Sequence, residues 1–219
     1  GTAHGYEDFA KSFAKSCNAS FANIGMQLDR GRFANTLEQM LFNQELKVGF
    51  AYNQSKLIID EQTEDADMMQ AAIGQGTTAV TPLEMNMITC AIANEGMLMK
   101  PYLVSQVETH EGNLIKQFEP ASYKRMMSAE ESEIMKGLMQ EVVKSGTGTK
   151  LADASYTAAG KTGYAEFNSV KDDSHAWFTG FAPVEDPELC VTIIIEGAGS
   201  GGDYAVPIAR RIFDAYFEP

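Results

Sequence analysis

Apolar residues in the first part of the chain recur at the spacing of a helix. Phe9 and Phe13 lie four residues apart with alanines beside them, which predicts a short helix with one apolar face. Apolar residues at the same spacing over 21–28 predict a second helix, and a third is expected near 35–41. The pattern therefore indicates a helical part that covers roughly residues 1–100.

Two longer helices carry clear start and stop signals. Thr81 is expected to cap the first of them, because Pro82 suits the first helical position and Glu84 completes a capping box. This helix is expected to end at Gly96, since glycine commonly follows the last turn of a helix. A serine followed by Ala-Glu-Glu opens the second helix in the same way, over 128–146.

The second part of the chain alternates predicted strands with turns. Two strands are expected to flank the turn His-Glu-Gly-Asn as a hairpin, and three more follow it. The predicted strands cover 102–109, 114–118, 156–161, 175–181 and 189–195. A final helix is expected over 204–217. Strands at hairpin-like spacing between groups of helices predict an α+β domain whose five-stranded antiparallel sheet lies in roughly 101–219.

Composition and charge exclude several classes of protein. The chain has 219 residues with 17 basic and 30 acidic side chains, so nucleic acid and anionic membranes are not expected partners. Its three cysteines share no C-x-x-C spacing and its three histidines are scattered, so no metal site and no cofactor is expected. The acidic run over 60–67 is expected to be a solvated loop.

The stretch AGKTGYAEF over 159–167 carries the sharpest chemical signal in the sequence. A cation at Lys161 and a hydroxyl at Thr162 can hold the carboxylate of a substrate. Gly163 has no side chain, so a ligand can lie along the edge of the strand. The next backbone N–H, that of Tyr164, can then point at a developing oxyanion. The three residues Lys-Thr-Gly are one element of a known set of serine acyl-transfer motifs.

Five stretches together resemble the transpeptidase domain of penicillin-binding proteins, and they stand in the order of that family. They are SCNASFANIG over 16–25, the Gly-Gln-Gly stretch with the helix after it over 73–104, VVKSGTGTKL over 142–151, the Lys-Thr-Gly strand over 159–167 and HAWFTGFAP over 175–183. The resemblance covers nearly the whole of 1–219. It implies the penicillin-binding or serine β-lactamase-like fold, present here as an incomplete domain.

The resemblance also implies an activity and its partners. Members of this family are D,D-transpeptidases, in which a serine attacks the D-Ala-D-Ala bond of a peptidoglycan stem peptide. The resulting acyl-enzyme passes to an amine on a neighbouring strand, and the two strands become cross-linked. The expected partners are therefore peptidoglycan stem peptides and the β-lactam antibiotics that mimic them.

The roles of individual residues follow from the matching motif positions. Ser16 would relay a proton to the leaving group, and the side-chain amide of Asn18 would hold the substrate backbone. Lys161 and Thr162 would bind the terminal carboxylate, and the N–H of Tyr164 would form half of the oxyanion hole. The family often has a small hydroxyl residue at the position of Tyr164, so this chain lacks that side-chain contact to the ligand.

The nucleophile of the family belongs to a Ser-x-x-Lys motif some tens of residues before Ser16, and it is expected to lie outside this chain. Ser12 and Lys15 have the residue types and the spacing of the motif, but no other feature of their surroundings in the sequence matches it. Ser12 follows a turn of predicted helix, so it lacks the free N-terminal amides of an oxyanion hole. Ser12 and Lys15 are therefore expected to form a solvated polar helix face, and the chain alone is expected to be inactive.

The parent protein is expected to act outside the cytoplasm and to carry a membrane anchor that this chain lacks. Loss of the nucleophile helix would expose apolar surface, so self-association or reduced stability is expected. One alternative is a non-catalytic β-lactam sensor or scaffold of the same fold. A β-lactamase fits less well, because the sequence shows no identifiable deacylating glutamate.

Overall fold

The computed structural model describes residues 4–167 and 174–218, and within them the chain forms seven α-helices and seven β-strands. The helices are α1 Phe9–Ala14, α2 Asn18–Gln27, α3 Arg30–Gln39, α4 Asp65–Ala72, α5 Pro82–Ala93, α6 Ala129–Ser145 and α7 Gly201–Phe217. The strands are β1 Met97–Met99, β2 Gln106–Glu108, β3 Leu114–Gln117, β4 Ser122–Arg125, β5 Ala159–Glu166, β6 Ser174–Ala182 and β7 Leu189–Ile195.

The strands are antiparallel, which confirms the α+β class, but the described residues divide them among three sheets. The central sheet has the order β5-β6-β7, while β1 pairs with β4 and β2 pairs with β3. The five predicted strands therefore do not share one sheet. The hairpin of β2 and β3 is exposed at every position, so it presents no buried face that could extend the central sheet.

The central sheet separates two apolar cores, as expected for a sheet with helices on both faces. Phe178 of β6 lies fully buried in a cluster with Phe213 of α7. Phe181, three residues further along the same strand, is also fully buried, but it packs against Ile92 of α5 and Met139 of α6. Side chains alternate between the faces of a strand, so odd and even positions of β6 belong to different cores.

The predicted helix starts of α5 and α6 are present, with one correction. Thr81 caps α5 by accepting a hydrogen bond from the backbone N–H of Glu84 at 3.2 Å. Ser128 and Glu131 form a complete capping box at the start of α6. Glu84, however, does not complete the box of α5: its carboxylate is fully buried, and neither oxygen has a hydrogen-bond partner among the described residues.

The acidic run 60–67 is exposed apart from the half-buried Thr63, as predicted for a solvated loop, but its last three residues form the first turn of helix α4. Met68 and Ala71 of this helix are buried, and they pack in a cluster with residues of α3. The helix also lies against α2, where a Cβ added at Gly25 would meet the Cβ of Ala72 at 2.5 Å. Tertiary packing of one apolar face therefore stabilises a helix whose charged residues gave no such signal.

Strand β5 begins three residues later and ends five residues later than its predicted range of 156–161, and the added C-terminal part matters for the site. It pairs with β6 in continuous register, from Ala159 opposite Phe181 to Glu166 opposite Ser174. The whole Lys161 to Tyr164 segment therefore lies inside a regular strand. No helix in the described part of the chain combines the length and the apolar character that a bilayer crossing requires.

Candidate active site

The side chains of Lys161 and Ser16 meet in the structure, although 145 positions separate them along the chain. The ammonium of Lys161 donates a hydrogen bond to Oγ of Ser16, and it also donates to the carbonyl oxygen of Thr162 at 2.9 Å. Its nitrogen lies 5.7 Å from the ring centroid of Phe13. Burial lowers the pKa of Lys161 to about 8, because the charged form loses solvation.

The backbone at Ser16 is bent so that its side chain points towards Lys161. Ser16 has a φ of 53°, in the left-handed region that few residues other than glycine adopt. The turn between α1 and α2 is closed by two backbone hydrogen bonds, from Ser16 to Phe13 at 3.1 Å and from Cys17 to Ser12 at 2.9 Å. Such local strain is a common property of functional sites.

Asn18 borders the same small cavity as the Ser16 and Lys161 pair. This cavity has a volume of about 220 Å³, and Phe13 and Phe21 supply part of its apolar wall. Asn18 is the first residue of α2 and is exposed, so its side-chain amide is accessible from solvent. The structure thus brings the cation of Lys161 to a hydroxyl and an amide that lie more than 140 residues earlier in the chain.

Thr162 is buried, and its hydroxyl contacts the hydroxyl of Thr147. Thr147 follows α6, and its backbone N–H donates to the carbonyl of Ala14 at the end of α1, at 3.1 Å. Thr147 lies in the matching stretch 142–151, but no sequence pattern predicted a role for it. The sequence does show a hydroxyl residue directly after a predicted helix and shortly before the Lys-Thr-Gly strand. That position indicates a contact with Thr162 only when the position of the strand relative to the helix is known.

Gly163 and Tyr164 lie on the exposed edge of the sheet, where β5 has no neighbouring strand among the described residues. The carbonyl of Tyr164 accepts a hydrogen bond from the side-chain amide of Gln75 at 2.9 Å. In an antiparallel strand the N–H and C=O of one residue point to the same side, so the N–H of Tyr164 also points away from β6. Gln75 is a second residue that the sequence analysis did not assign to the site.

A second cavity of about 340 Å³ runs along this edge. Residues 161–165 form one side of it, and apolar side chains including Phe33 and Leu57 form the other. Trp177 of β6 also borders the cavity, and a Cβ added at Gly163 would approach the Cβ of Trp177 to 2.9 Å. The glycine therefore keeps the strand close to the indole, beside a largely apolar groove.

The literal Ser-x-x-Lys match has a different environment from the one predicted. Ser12 is only 3% exposed, so its expected place on a solvated face is wrong; its side chain points towards α2. Its hydroxyl donates to Oγ of Ser20 at 3.0 Å, and its N–H donates to the carbonyl of Asp8 at 2.9 Å. Lys15 instead pairs with Glu7, with its side chain 45% exposed.

A cluster next to Ser16 contains side chains that metal ions commonly bind. Donor atoms of His4, Glu7 and Cys17 all lie within 4.8 Å of one another. Hydrogen bonds from Ser20 and then from His4 lower the pKa of the Cys17 thiol to about 7. The sequence spacing gave no sign of this cluster, because the turn before α2 is what brings Cys17 back towards the start of the chain.

Comparison with known proteins gives a consistent result. The model of the penicillin binding protein transpeptidase domain matches residues 2–214. Peptidoglycan D,D-transpeptidase MrdA of Haemophilus influenzae is 29% identical over 98% of this chain, and PbpA of Mycolicibacterium smegmatis is 29% identical over 94%. The chain spans 37% and 43% of the length of these two relatives.

Solved structures show the same similarity in three dimensions. The D,D-transpeptidase domain of a peptidoglycan glycosyltransferase from Eggerthella lenta has a TM-score of 0.91 and 28% identity, covering 99% of this chain and 54% of that one. PBPA from Mycobacterium tuberculosis has a TM-score of 0.87 and 26% identity, covering 96% of this chain and 49% of that one. The chain is therefore similar over nearly its whole length to about half of each of these structures.

Proposed function

The chain belongs to the penicillin binding protein transpeptidase domain family, and from that membership we propose that it is part of a serine-type peptidoglycan D,D-transpeptidase. Its substrates would be stem peptides that end in D-Ala-D-Ala. The serine would displace the terminal D-Ala and form an ester with the rest of the peptide, and an amine of a neighbouring stem would then displace the serine. β-Lactams would acylate the same serine.

The observation that carries this proposal is the hydrogen bond from Lys161 to Ser16 at the cavity that Asn18 borders. A lysine whose pKa is about 8 can take up and release a proton near neutral pH. Ser16 would pass that proton to the nitrogen of the departing D-Ala. The amide of Asn18 would hold the backbone of the stem peptide beside it.

The open edge of β5 would bind the terminal carboxylate and the reacting carbonyl. The ammonium of Lys161 has three N–H donors, and two of them are used in hydrogen bonds to described residues. The third would donate to the carboxylate. Thr162 would add its hydroxyl after exchanging its contact with Thr147. The N–H of Tyr164, which points away from β6, would donate to the oxyanion.

We also propose that the nucleophile belongs to a Ser-x-x-Lys segment outside the described residues, and that this chain alone is inactive. The surroundings of Ser12 support this part of the proposal, because its N–H and its hydroxyl are both engaged within the chain. Its nearest lysine in the motif, Lys15, pairs with Glu7 instead of serving as its base. The parent protein would act outside the cytoplasm, tethered to the membrane, and this chain would self-associate.

Acylation of the full-length gene product by a labelled penicillin tests the proposal. Lys161→Gln should slow acylation by about 100-fold or more, since it removes a charge-assisted donor and the proton carrier. Lys116→Gln, at an exposed position of β3, is the matched control and should leave the rate unchanged. Full acylation at the normal rate by the Lys161 variant would contradict the assigned role.

Two further measurements separate the remaining parts of the proposal. The 219-residue chain alone should form no covalent adduct, and an adduct on Ser12 would overturn the assignment of the nucleophile to another segment. The full-length protein should join two stem peptides. A protein that is acylated by penicillin but joins no peptides would instead be the sensor or scaffold of the same fold.

A further inference from the structure

Two cysteines from different elements meet on the side of the sheet away from α7. Cys90 of α5 and Cys190 of β7 both border a cavity of about 720 Å³, and both are partly buried. Helix α5 packs directly on β7. Asn86 joins the two elements, because its amide nitrogen donates to the sulfur of Cys90 at 3.8 Å and its oxygen accepts from the hydroxyl of Thr192 at 3.1 Å.

The register of the helix on the strand places the two thiols opposite each other. From Asn86 to Cys90 is one turn, about 6 Å along a helix. From Thr192 back to Cys190 is two residues on the same face, about 7 Å along a strand. Cys190 also packs against the cluster that contains Ala93, so the strand runs antiparallel to the helix across this contact.

The thiols are also chemically unequal, which favours a reaction between them. The neighbouring Cys190 thiol lowers the pKa of Cys90, and the Cys90 thiol together with burial raises the pKa of Cys190. Cys90 is therefore the better nucleophile of the two near neutral pH. The cavity that both residues border gives a small reagent access to the sulfur atoms.

We propose that Cys90 and Cys190 are a disulfide-forming pair, which a low-molecular-weight disulfide oxidises to a covalent link between α5 and β7. The thiolate of Cys90 attacks the reagent RS–SR, forms a mixed disulfide and releases one RSH after protonation. The thiolate of Cys190 then attacks the Cys90 sulfur and releases the second RSH. The two protein thiols are oxidised by two electrons, and the reagent is reduced to two thiols.

The link would join the sheet to the helix that lies behind the candidate site. Thr89 of α5 is hydrogen-bonded to Thr179 of β6 at 2.6 Å, and Thr179 is bonded to Thr192 of β7 at 2.7 Å. The disulfide would fix this three-element contact and close a loop of about 100 residues, which constrains the unfolded chain. The expected consequence is a rise of roughly 5–15 °C in Tm on oxidation.

Mass spectrometry of the 219-residue chain tests the proposal without any variant. The chain is incubated with oxidised glutathione, its remaining thiols are blocked with N-ethylmaleimide, and it is digested without reduction. A peptide pair linked through Cys90 and Cys190, separated by dithiothreitol, is the expected product. Recovery of both cysteines as separate glutathione or maleimide adducts would overturn the proposal.

Two variants and a thermal measurement sharpen the test. Cys17→Ser removes the third thiol and should leave the linked peptide in full yield, whereas Cys190→Ser should replace it with a glutathione adduct on Cys90. The rise in Tm on oxidation should be lost in Cys190→Ser and kept in Cys17→Ser. If the fully linked wild-type chain had the same Tm as the reduced chain, the disulfide would not stabilise the fold, and this part of the proposal would be wrong.

Discussion

The ammonium of Lys161 on β5 donates a hydrogen bond to the hydroxyl of Ser16, a residue 145 positions earlier in the chain. The two are held in place through a third element, because α1 packs on α6 and α6 packs on β5. The backbone N–H of Thr147, just after α6, donates to the carbonyl of Ala14, two residues before Ser16. The geometry of the candidate site therefore depends on the junction of these three elements.

Replacement of Lys161 by glutamine should remove the carboxylate site and leave the fold intact. The affinity for N-acetyl-D-alanyl-D-alanine, measured by ligand-observed NMR, should fall by about 10- to 100-fold, the value of one charge-assisted hydrogen bond. Urea unfolding should show equal or greater stability, because a buried charge costs solvation. Unchanged affinity would show that the carboxylate binds elsewhere, and Lys116→Gln serves as the control.

The affinity for the same peptide should depend on pH with a midpoint near 8. Burial lowers the pKa of Lys161 to about 8, and only the protonated form attracts a carboxylate. Affinity should therefore be about tenfold weaker at pH 9 than at pH 7, from the fraction of protonated lysine. Lys161→Gln should show a flat profile over this range, and a flat profile in the unaltered chain would contradict the assignment.

Stability should follow the opposite trend over the next pH range. The unfolded chain keeps the Lys161 proton up to about pH 10.5, whereas the folded chain releases it near 8. The unfolded state then binds more protons, so the contribution of this group to the free energy of unfolding rises with pH between these values. The difference between wild type and Lys161→Gln in urea unfolding isolates that contribution.

Glu84→Gln should stabilise the fold at neutral pH. The carboxylate is fully buried and forms no regular hydrogen bond among the described residues, and burial raises its pKa by more than the nearby Ser55 lowers it. The folded state then holds the proton more tightly than the unfolded state, so stability falls as pH rises from about 4.5 through the folded pKa. We expect a gain of about 1–3 kcal/mol at pH 8 that shrinks at pH 4.5.

The exposed Glu133 of α6 provides the control for this measurement. Glu133→Gln should change the free energy of unfolding by less than about 0.5 kcal/mol at either pH. A loss of stability in Glu84→Gln at pH 8 would mean that the buried carboxylate has a partner that the amide cannot replace. Thermal and urea unfolding at both pH values distinguish these outcomes.

Gly146→Ala should disturb the candidate site from a distance. A Cβ at this position would lie 2.2 Å from the carbonyl oxygen of Ala14, so the end of α1 must move. We expect a loss of about 1–3 kcal/mol in unfolding free energy and weaker binding of N-acetyl-D-alanyl-D-alanine. Gly137→Ala is the matched control inside α6, the helix that Gly146 follows, because its Cβ would meet nothing within 4 Å.

The control should behave in the opposite way. Gly137 lies on the exposed side of α6, where alanine is favoured over glycine by about 0.5–1 kcal/mol. The Gly137 variant should therefore be slightly more stable and bind the peptide as wild type does. Normal peptide binding by a folded Gly146 variant would show that the junction with Ala14 does not position Ser16.

The parts of the fold that the sequence predicted are those with local causes. The cap at Thr81, the capping box at Ser128 and the strand 189–195 depend on residues within a few positions of one another, and the structure has all three. The Lys-Thr-Gly segment was placed in a strand for the same reason. Its full length was not predicted, because continuous pairing with β6 extends it beyond 161.

The parts that could not be predicted depend on contacts between distant segments. Ser12 is buried with its hydroxyl against Ser20 of α2, and α4 forms because Met68 packs with apolar residues of α3. The division of the strands into three sheets likewise depends on which faces are covered, and strand propensity carries no such information. Thr147 and Gln75 join the site only through the fold.

The hydrogen bond from Gln75 to the carbonyl of Tyr164 has a consequence for any peptide that docks at this edge. A peptide that binds there as an added strand would need the same carbonyl for its own backbone N–H groups. Docking would then be an exchange, in which the glutamine amide leaves as the peptide arrives. The side chain of Gln75 would therefore compete with such a peptide for the carbonyl of Tyr164, and it would keep that carbonyl hydrogen-bonded whenever the edge is empty.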